Sequence, residues 1–187
     1  CVNTEESQYM HIPVPLDGEH QATNCALAIS AINQLKKFGY KFNNIDIYES
    51  LAKTSIGGRM ELVWERPKIL VDGAHNPTAL KTLIKSVGAH IPYDSMVCVF
   101  GCCQDKDVAG MLERISLGAD KIIFTKASGN PRAAEPQLLQ KQFAKISGKM
   151  TQVAETLPEA LEIAAQAASR EDLICVTGSF YLVGETK

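Results

Sequence analysis

No stretch of this sequence approaches the ~20 consecutive apolar residues that span a bilayer, and no secretory leader stands at its start. A membrane partner is therefore not expected, and the chain reads as cytoplasmic. An excess of basic charge is also missing. Lys and Arg number 19 against 21 Asp and Glu, a net charge of −2. That balance argues against a nucleic-acid or polyanion-binding surface. There is no G-x-x-x-x-G-K-[ST] phosphate loop, and no G-x-G-x-x-G follows a strand, so the chain does not carry a whole nucleotide site of either kind. If it handles ATP, it supplies only part of the site. The six cysteines, Cys102-Cys103 adjacent among them, match neither a C-x-x-C redox motif nor a zinc spacing. Cys98 and Cys175 fall inside apolar runs, where a thiol behaves as a small hydrophobe. All six are expected to be free thiols. Internal repeats and low-complexity segments are lacking too. The first residue is Cys and a helix starts just before the last one, so both ends are expected to be cut ends.

What is present suits a folded core. Of 187 residues, 45% are apolar, enough for one domain with a fragment of another. The most informative run is Ile69-Leu70-Val71-Asp72-Gly73-Ala74-His75-Asn76-Pro77. Three apolar residues read as a buried strand that Asp72 ends, and Gly73 permits a tight turn. Asn76-Pro77 opens a helix, with proline at the first helical position and an N-cap before it. Leu80, Leu83, Ile84 and Val87 then follow at helical spacing. Asp72, His75 and Asn76 thus sit between a strand's carboxyl end and a helix N-terminus, where ligands bind in open α/β sheets. An ordinary capped turn with a surface His has the same pattern.

Along the chain, residues 1–8 are polar and expected to be frayed. Residues 9–16, apolar alternating with proline, suit an edge strand. Asp17-Gly18 ends it. A helix is expected over 19–38 with Ala22, Cys25, Ala26, Ile29, Ile32 and Leu35 inward, and a short one over 45–54. Ile56-Gly57-Gly58-Arg59 reads as a flexible joint and domain boundary. From there strands are expected at 60–64, 69–72, 96–100, 121–125, 150–154 and 173–177. The helices between them end near 89 and span 107–117, 136–147 and 156–168, with a last one starting near 179. Such alternation predicts an α/β fold, Rossmann-like, with a mainly parallel sheet and flanking helices.

In that sheet the turns 72–76, 101–107, 125–132 and 177–179 share one edge. Glycines and helix N-termini there make a donor-rich rim suited to carboxylate or phosphate, with Asp72, Asp105, His75, Lys106, Lys126 and Arg132 alongside. A Cys102 or Cys103 nucleophile activated by His75 is a rival, disfavoured because buried thiols are usually inert. Gly178-Ser179-Phe180 lacks the flanking pattern of a nucleophile elbow.

Asp72-Gly73-Ala74-His75-Asn76-Pro77 resembles the signature of the folylpolyglutamate synthase/dihydrofolate synthase family, a branch of the Mur-ligase superfamily. His20-Gln21 with Asn24, Gly58-Arg59-Met60-Glu61, Phe100-Gly101 with Asp105-Lys106-Asp107, residues 130–134 and residues 178–184 resemble further motifs of that family, in the same order. The resemblance implies a carboxyl-terminal half: residues 1–57 as the end of the central ATPase domain and 58–187 as the Rossmann-like carboxyl-terminal domain. It implies a ligase in which ATP phosphorylates a carboxylate of folate or dihydropteroate and the amine of L-glutamate attacks the acyl phosphate. By the same resemblance Asp72 and His75 are catalytic. Asn24, Arg59 and Asp72 contact ATP, and His75 and Ser179 line the glutamate site. Asp105, Lys106 and Arg132 are secondary candidates, since ordinary rim charges look the same; Asn24 could equally satisfy a helix end. Mg²⁺ is implied as cofactor, with its ligands, the phosphate loop and a modified lysine upstream and no metal site in this stretch. The implied partners are ATP, L-glutamate, folate or dihydropteroate and the amino-terminal domain of the same polypeptide, in a monomer. This stretch alone is expected to be inactive. A different Mur-type amide ligase and a non-catalytic Rossmann-type module that binds a small anion are the alternatives.

Overall fold

A computed structural model describes residues 2–3, 8–16 and 18–187, without the side chain of Glu19. The chain divides into two units, Cys1–Ile56 and Gly57–Lys187.

In the first unit, β1 (Val2–Asn3) and β2 (Gln8–Tyr9) form a short antiparallel ladder, followed by α1 (Glu19–Lys37) and α2 (Asn44–Ala52). Its small core is Tyr9, Ile29 and Ile47. Two expectations are corrected. The edge strand over 9–16 reduces to Gln8–Tyr9, because His11 takes a positive φ of 51° and Pro13 and Pro15 offer no N–H to a ladder. Of the expected inward face of α1, Ala22 and Leu35 are exposed. The buried line runs through Gln21, Ile29 and Asn33 instead, and Asn33 Oδ1 accepts a 3.0 Å hydrogen bond from the Tyr9 hydroxyl. A polar side chain with a buried partner displaced the apolar positions the periodicity favoured. The frayed start expected over 1–8 falls partly on Cys1 and residues 4–7, outside the described residues, as does Asp17.

The second unit is built from β3 (Glu61–Glu65), β4 (Lys68–Asp72), α3 (Pro77–His90), β5 (Met96–Phe100), α4 (Val108–Gly118), β6 (Lys121–Phe124), α5 (Pro136–Phe143), β7 (Thr151–Val153), α6 (Leu157–Ala167), β8 (Leu173–Thr177) and α7 (Phe180–Thr186). The six strands lie in the order β3-β4-β8-β5-β6-β7, with β3 antiparallel to β4 and every other pair parallel. Period-two alternation sorts the strand residues into two cores. Leu70, Cys98, Phe100, Ile122, Phe124 and Cys175 pack with α3, α4 and α5. Val71, Val97, Val99, Ile123, Ile174 and Val176 pack with α6 and α7. The product is a mixed α/β sheet sandwiched by helices. Its parallel strands β4, β8, β5 and β6 all end at one edge, on Asp72, Thr177, Phe100 and Phe124.

Candidate functional site

The turn after β4 is held by its own acid. Asp72 Oδ1 accepts the Ala74 N–H at 2.8 Å, and Oδ2 accepts the Met60 N–H at 2.9 Å. Gly73 N–H donates to the Gly58 carbonyl at 2.8 Å. Asn76 caps α3 by accepting from Ala79 N–H at 2.8 Å, and Pro77 occupies the first turn. His75 is half-buried. Its Nδ1 lies 2.8 Å from the Gly73 carbonyl oxygen, which only accepts, so Nδ1 carries a proton and Nε2 is the nitrogen turned to other partners.

At the joint expected over Gly57-Gly58-Arg59, Gly57 is exposed, but the residue after it is held by local bonds. Gly58 is buried, its N–H donates to Glu61 Oε2 at 2.7 Å, and Glu61 Oε1 pairs with Lys187 at 2.7 Å. The Lys187 contact and the Gly58 N–H hold the Glu61 carboxyl below the usual range. Arg59 is half-buried, its guanidinium carbon 4.7 Å from the centroid of the Phe180 ring.

The turn after β8 closes the gap between its neighbours. Gly178 has φ +106°, and a Cβ there would lie 2.5 Å from the Gly101 carbonyl oxygen. Its N–H donates to the Ala74 carbonyl at 3.1 Å, which draws the turn against the Asp72–His75 segment. Ser179 is buried and caps α7, its Oγ accepting the Leu182 N–H at 3.2 Å.

The turns after β5 and β6 zip together through an antiparallel bridge between Cys103 and Ala133. Gln104 N–H donates to the Arg132 carbonyl at 2.9 Å and Ala134 N–H to the Cys102 carbonyl at 2.8 Å. Buried Asn130 donates to Cys103 Sγ at 3.2 Å and accepts from Arg132 N–H at 3.1 Å. Asp105 pairs with Lys106 at 3.1 Å, which holds its carboxyl low. The Tyr181 hydroxyl and then Asp105 hold the Arg132 guanidinium in its charged form. Lys126 pairs with Glu135 at 2.9 Å and with Glu155 at 3.9 Å, so its charge is largely matched locally.

Of the candidate residues, Arg59, Asp72, His75 and Ser179 converge on one side of the rim, and Asp105, Lys106 and Arg132 form a second cluster. Asn24 belongs to the first unit, on α1, where its amide donates to Gln21 Oε1 at 3.0 Å. The thiol nucleophile is disfavoured. Cys102 is buried, and burial pushes its thiol up to about 12. The cysteines at 25, 98, 102, 103 and 175 are free. Among the described residues no three His, Cys, Asp or Glu side chains are grouped to hold a metal ion, and no helix is long and apolar enough to cross a membrane. Sequence reasoning missed Phe180. Its signal was adjacency to Ser179 within the motif over residues 178–184.

The family described as Mur ligase, glutamate ligase domain, matches residues 58–180. The dihydrofolate synthase/folylpolyglutamate synthase of Bacillus subtilis is 29% identical over 185 residues, which are 98% of this chain and 42% of that protein. The structure of Mycobacterium tuberculosis folylpolyglutamate synthase complexed with ADP and AMPPCP superposes with a TM-score of 0.86 at 27% identity, over 95% of this chain and 41% of that one. The bifunctional folylpolyglutamate synthase/dihydrofolate synthase from Yersinia pestis, complexed with AMPPNP and a Mn ion, gives a TM-score of 0.77 at 28% identity, over 98% and 42%. The chain therefore spans about two-fifths of the length of these relatives.

Proposed function

The chain belongs to the Mur ligase family through its glutamate ligase domain, and from that premise we propose that it is the carboxyl-terminal portion of an ATP-dependent ligase that adds L-glutamate to folate, to dihydropteroate or to both. The observation that carries the reading is the convergence of Arg59, His75 and Ser179 on the turn that Asp72 holds, at the carboxyl edge of the sheet. An acyl-phosphate route needs two things from such a rim: a cation for the phosphates and donors that fix the incoming amino acid. Arg59, half-exposed and carried on a joint, suits the first, because a guanidinium forks onto phosphate oxygens. His75 and the Ser179 hydroxyl suit the second. Asp72, with both oxygens on backbone N–H groups, acts by shaping the turn as well as through any contact to nucleotide. Asp105, Lys106 and Arg132 would border the amino-acid side of the rim, and Asn24 would reach ATP from the first unit.

Among the described residues no three His, Cys, Asp or Glu side chains are grouped to hold a metal, and the sequence carries no G-x-x-x-x-G-K-[ST] phosphate loop. We therefore assign the Mg²⁺ ligands and the triphosphate loop to the remaining three-fifths of the relatives' length, and the reaction to the full-length, cytoplasmic polypeptide.

The test is steady-state kinetics of that polypeptide with folate, glutamate and Mg·ATP. Arg59→Ala should lower turnover sharply, and His75→Ala should raise the glutamate KM more than the ATP KM. Wild-type turnover in Arg59→Ala would remove the nucleotide assignment. The 187-residue chain alone should release no glutamate-dependent phosphate, because phosphoryl transfer depends on the cradle and the metal.

A further inference from the structure

The joint at Gly58-Arg59, the turn at Gly73-Ala74-His75 and the start of α7 are far apart in the chain, yet all three meet on one ring. The Arg59 guanidinium carbon lies 4.7 Å from the Phe180 centroid. The His75 ring centre is 6.0 Å away, inclined at 50°. A Cβ on Gly73 would lie 2.4 Å from Phe180 Cε1, so the ring rests directly on the backbone of that turn. Gly58 approaches the same ring, at 3.4 Å from Cε1 for a Cβ built there. Phe180 is 43% exposed, so burial does not account for an aromatic residue there. Its backbone is fixed on both sides, by the Ser179 cap and by Gly178 N–H on the Ala74 carbonyl.

We propose that Phe180 is a positioning residue, whose ring holds the Arg59 guanidinium and the His75 imidazole in one fixed relation on the rim. The assignment rests on the reading that Arg59 serves ATP and His75 serves glutamate. An unrestrained arginine samples many rotamers, and ordering it on binding costs affinity. A guanidinium parked on an aromatic face has already lost part of that freedom. The contact is weaker than a charge-assisted bond to phosphate, so substrate can draw the guanidinium off the ring. Gly73 serves the same device by leaving room for the ring.

Two experiments separate this inference from the reading beneath it. In the ¹⁵N-labelled 187-residue chain, the Arg59 Nε–H should resonate upfield of free arginine through the ring current of Phe180. Phe180→Tyr should keep that shift and Phe180→Leu should abolish it, with the backbone spectrum outside residues 57–75 and 178–184 retained. An Arg59 Nε–H at the free-arginine position in the unmodified chain overturns the proposal without any variant. In the full-length polypeptide, Phe180→Leu should raise the KM for ATP and for glutamate together by about tenfold, and Phe180→Tyr should restore both. If Arg59→Ala and His75→Ala impair the ligase while Phe180→Leu does not, the positioning role fails and the functional reading stands. If all three variants are silent while the ring-current shift is present, the functional reading fails.

Discussion

Replacing Asp72 by Asn should unfasten the turn after β4 by at least the amount set by the hydrogen bonds it accepts from Ala74 and Met60. Both carboxylate oxygens accept backbone N–H groups, from Ala74 at 2.8 Å and Met60 at 2.9 Å, and the residue is buried. An asparagine keeps one acceptor oxygen; its other terminal atom is an NH₂ facing an N–H, donor against donor. Losing one charge-assisted bond and stranding a buried donor costs about 1–3 kcal/mol. Alanine strands both donors and should cost roughly twice as much. For the unit Gly57–Lys187 each kcal/mol lowers the melting temperature by roughly 4 °C. Asp72→Asn should thus melt about 4–12 °C below wild type, and Asp72→Ala lower still. The single tryptophan, Trp64, lies on β3 opposite Ile69 of β4, so its fluorescence reports on the sheet that carries Asp72. If both variants melt at the wild-type temperature, the carboxylate does not hold the turn, and its role is confined to ligand.

Gly178→Ala should be among the costliest glycine substitutions, about 2–4 kcal/mol, since a φ of +106° and a backbone oxygen at 2.5 Å oppose a Cβ; Gly148→Ala, with nothing within 4 Å, should stay within about 0.5 kcal/mol in the same urea titration. Asp172 accepts from Ser169 N–H at 2.6 Å and Ser95 N–H at 3.0 Å, and the Ser169 bond foremost holds its carboxyl below the usual range. A depressed folded pKa means stability present above the unfolded value of about 3.9 and lost as pH falls through the folded one. Asp172→Asn should therefore lower the urea midpoint at pH 7 and flatten its decline below about pH 4, and an unchanged acid limb would refute the assignment. Cys102→Ala should leave full-length activity within a few-fold, because its buried thiol stays protonated at pH 7; abolished activity in a folded variant would revive the nucleophile.

The sheet and its rim were legible because local chemistry wrote them. The apolar run before Asp72, the glycine after it and the Asn76-Pro77 cap together specify strand, turn and helix, and α3 runs from Pro77 to His90 as that pattern requires. What escaped was written non-locally. The pairing of the turn over 125–132 escaped because its partner lies about 30 residues earlier, at Cys103, which bridges Ala133 just past that turn. Arg59 looked like an exposed charge beside two glycines, since the ring that covers it comes 121 positions later. The strand over 9–16 was overread because alternation with proline satisfies a period-two pattern while removing the donors a ladder needs.

The two polar clusters of the rim are not independent, because one short helix serves both. β8 lies in the middle of the sheet, between β4 and β5, so the turn that follows it emerges between the Asp72 turn and the zipped loops after β5 and β6. From that position α7 sends consecutive residues to different tasks. Ser179 caps it, Phe180 takes Arg59 and His75, and Tyr181 helps hold the Arg132 guanidinium in its charged form. Leu182 and Val183 anchor it in the core under α6. One turn later Glu185 accepts from Ser128 N–H and Gly129 N–H, both at 3.1 Å, and ties down the loop that carries Arg132. A rotation of α7 about its axis would therefore shift Phe180 and Tyr181 together. The distance between the cluster read as serving phosphate and amine and the cluster of Arg132 is set by how firmly Leu182, Val183 and Glu185 resist that rotation.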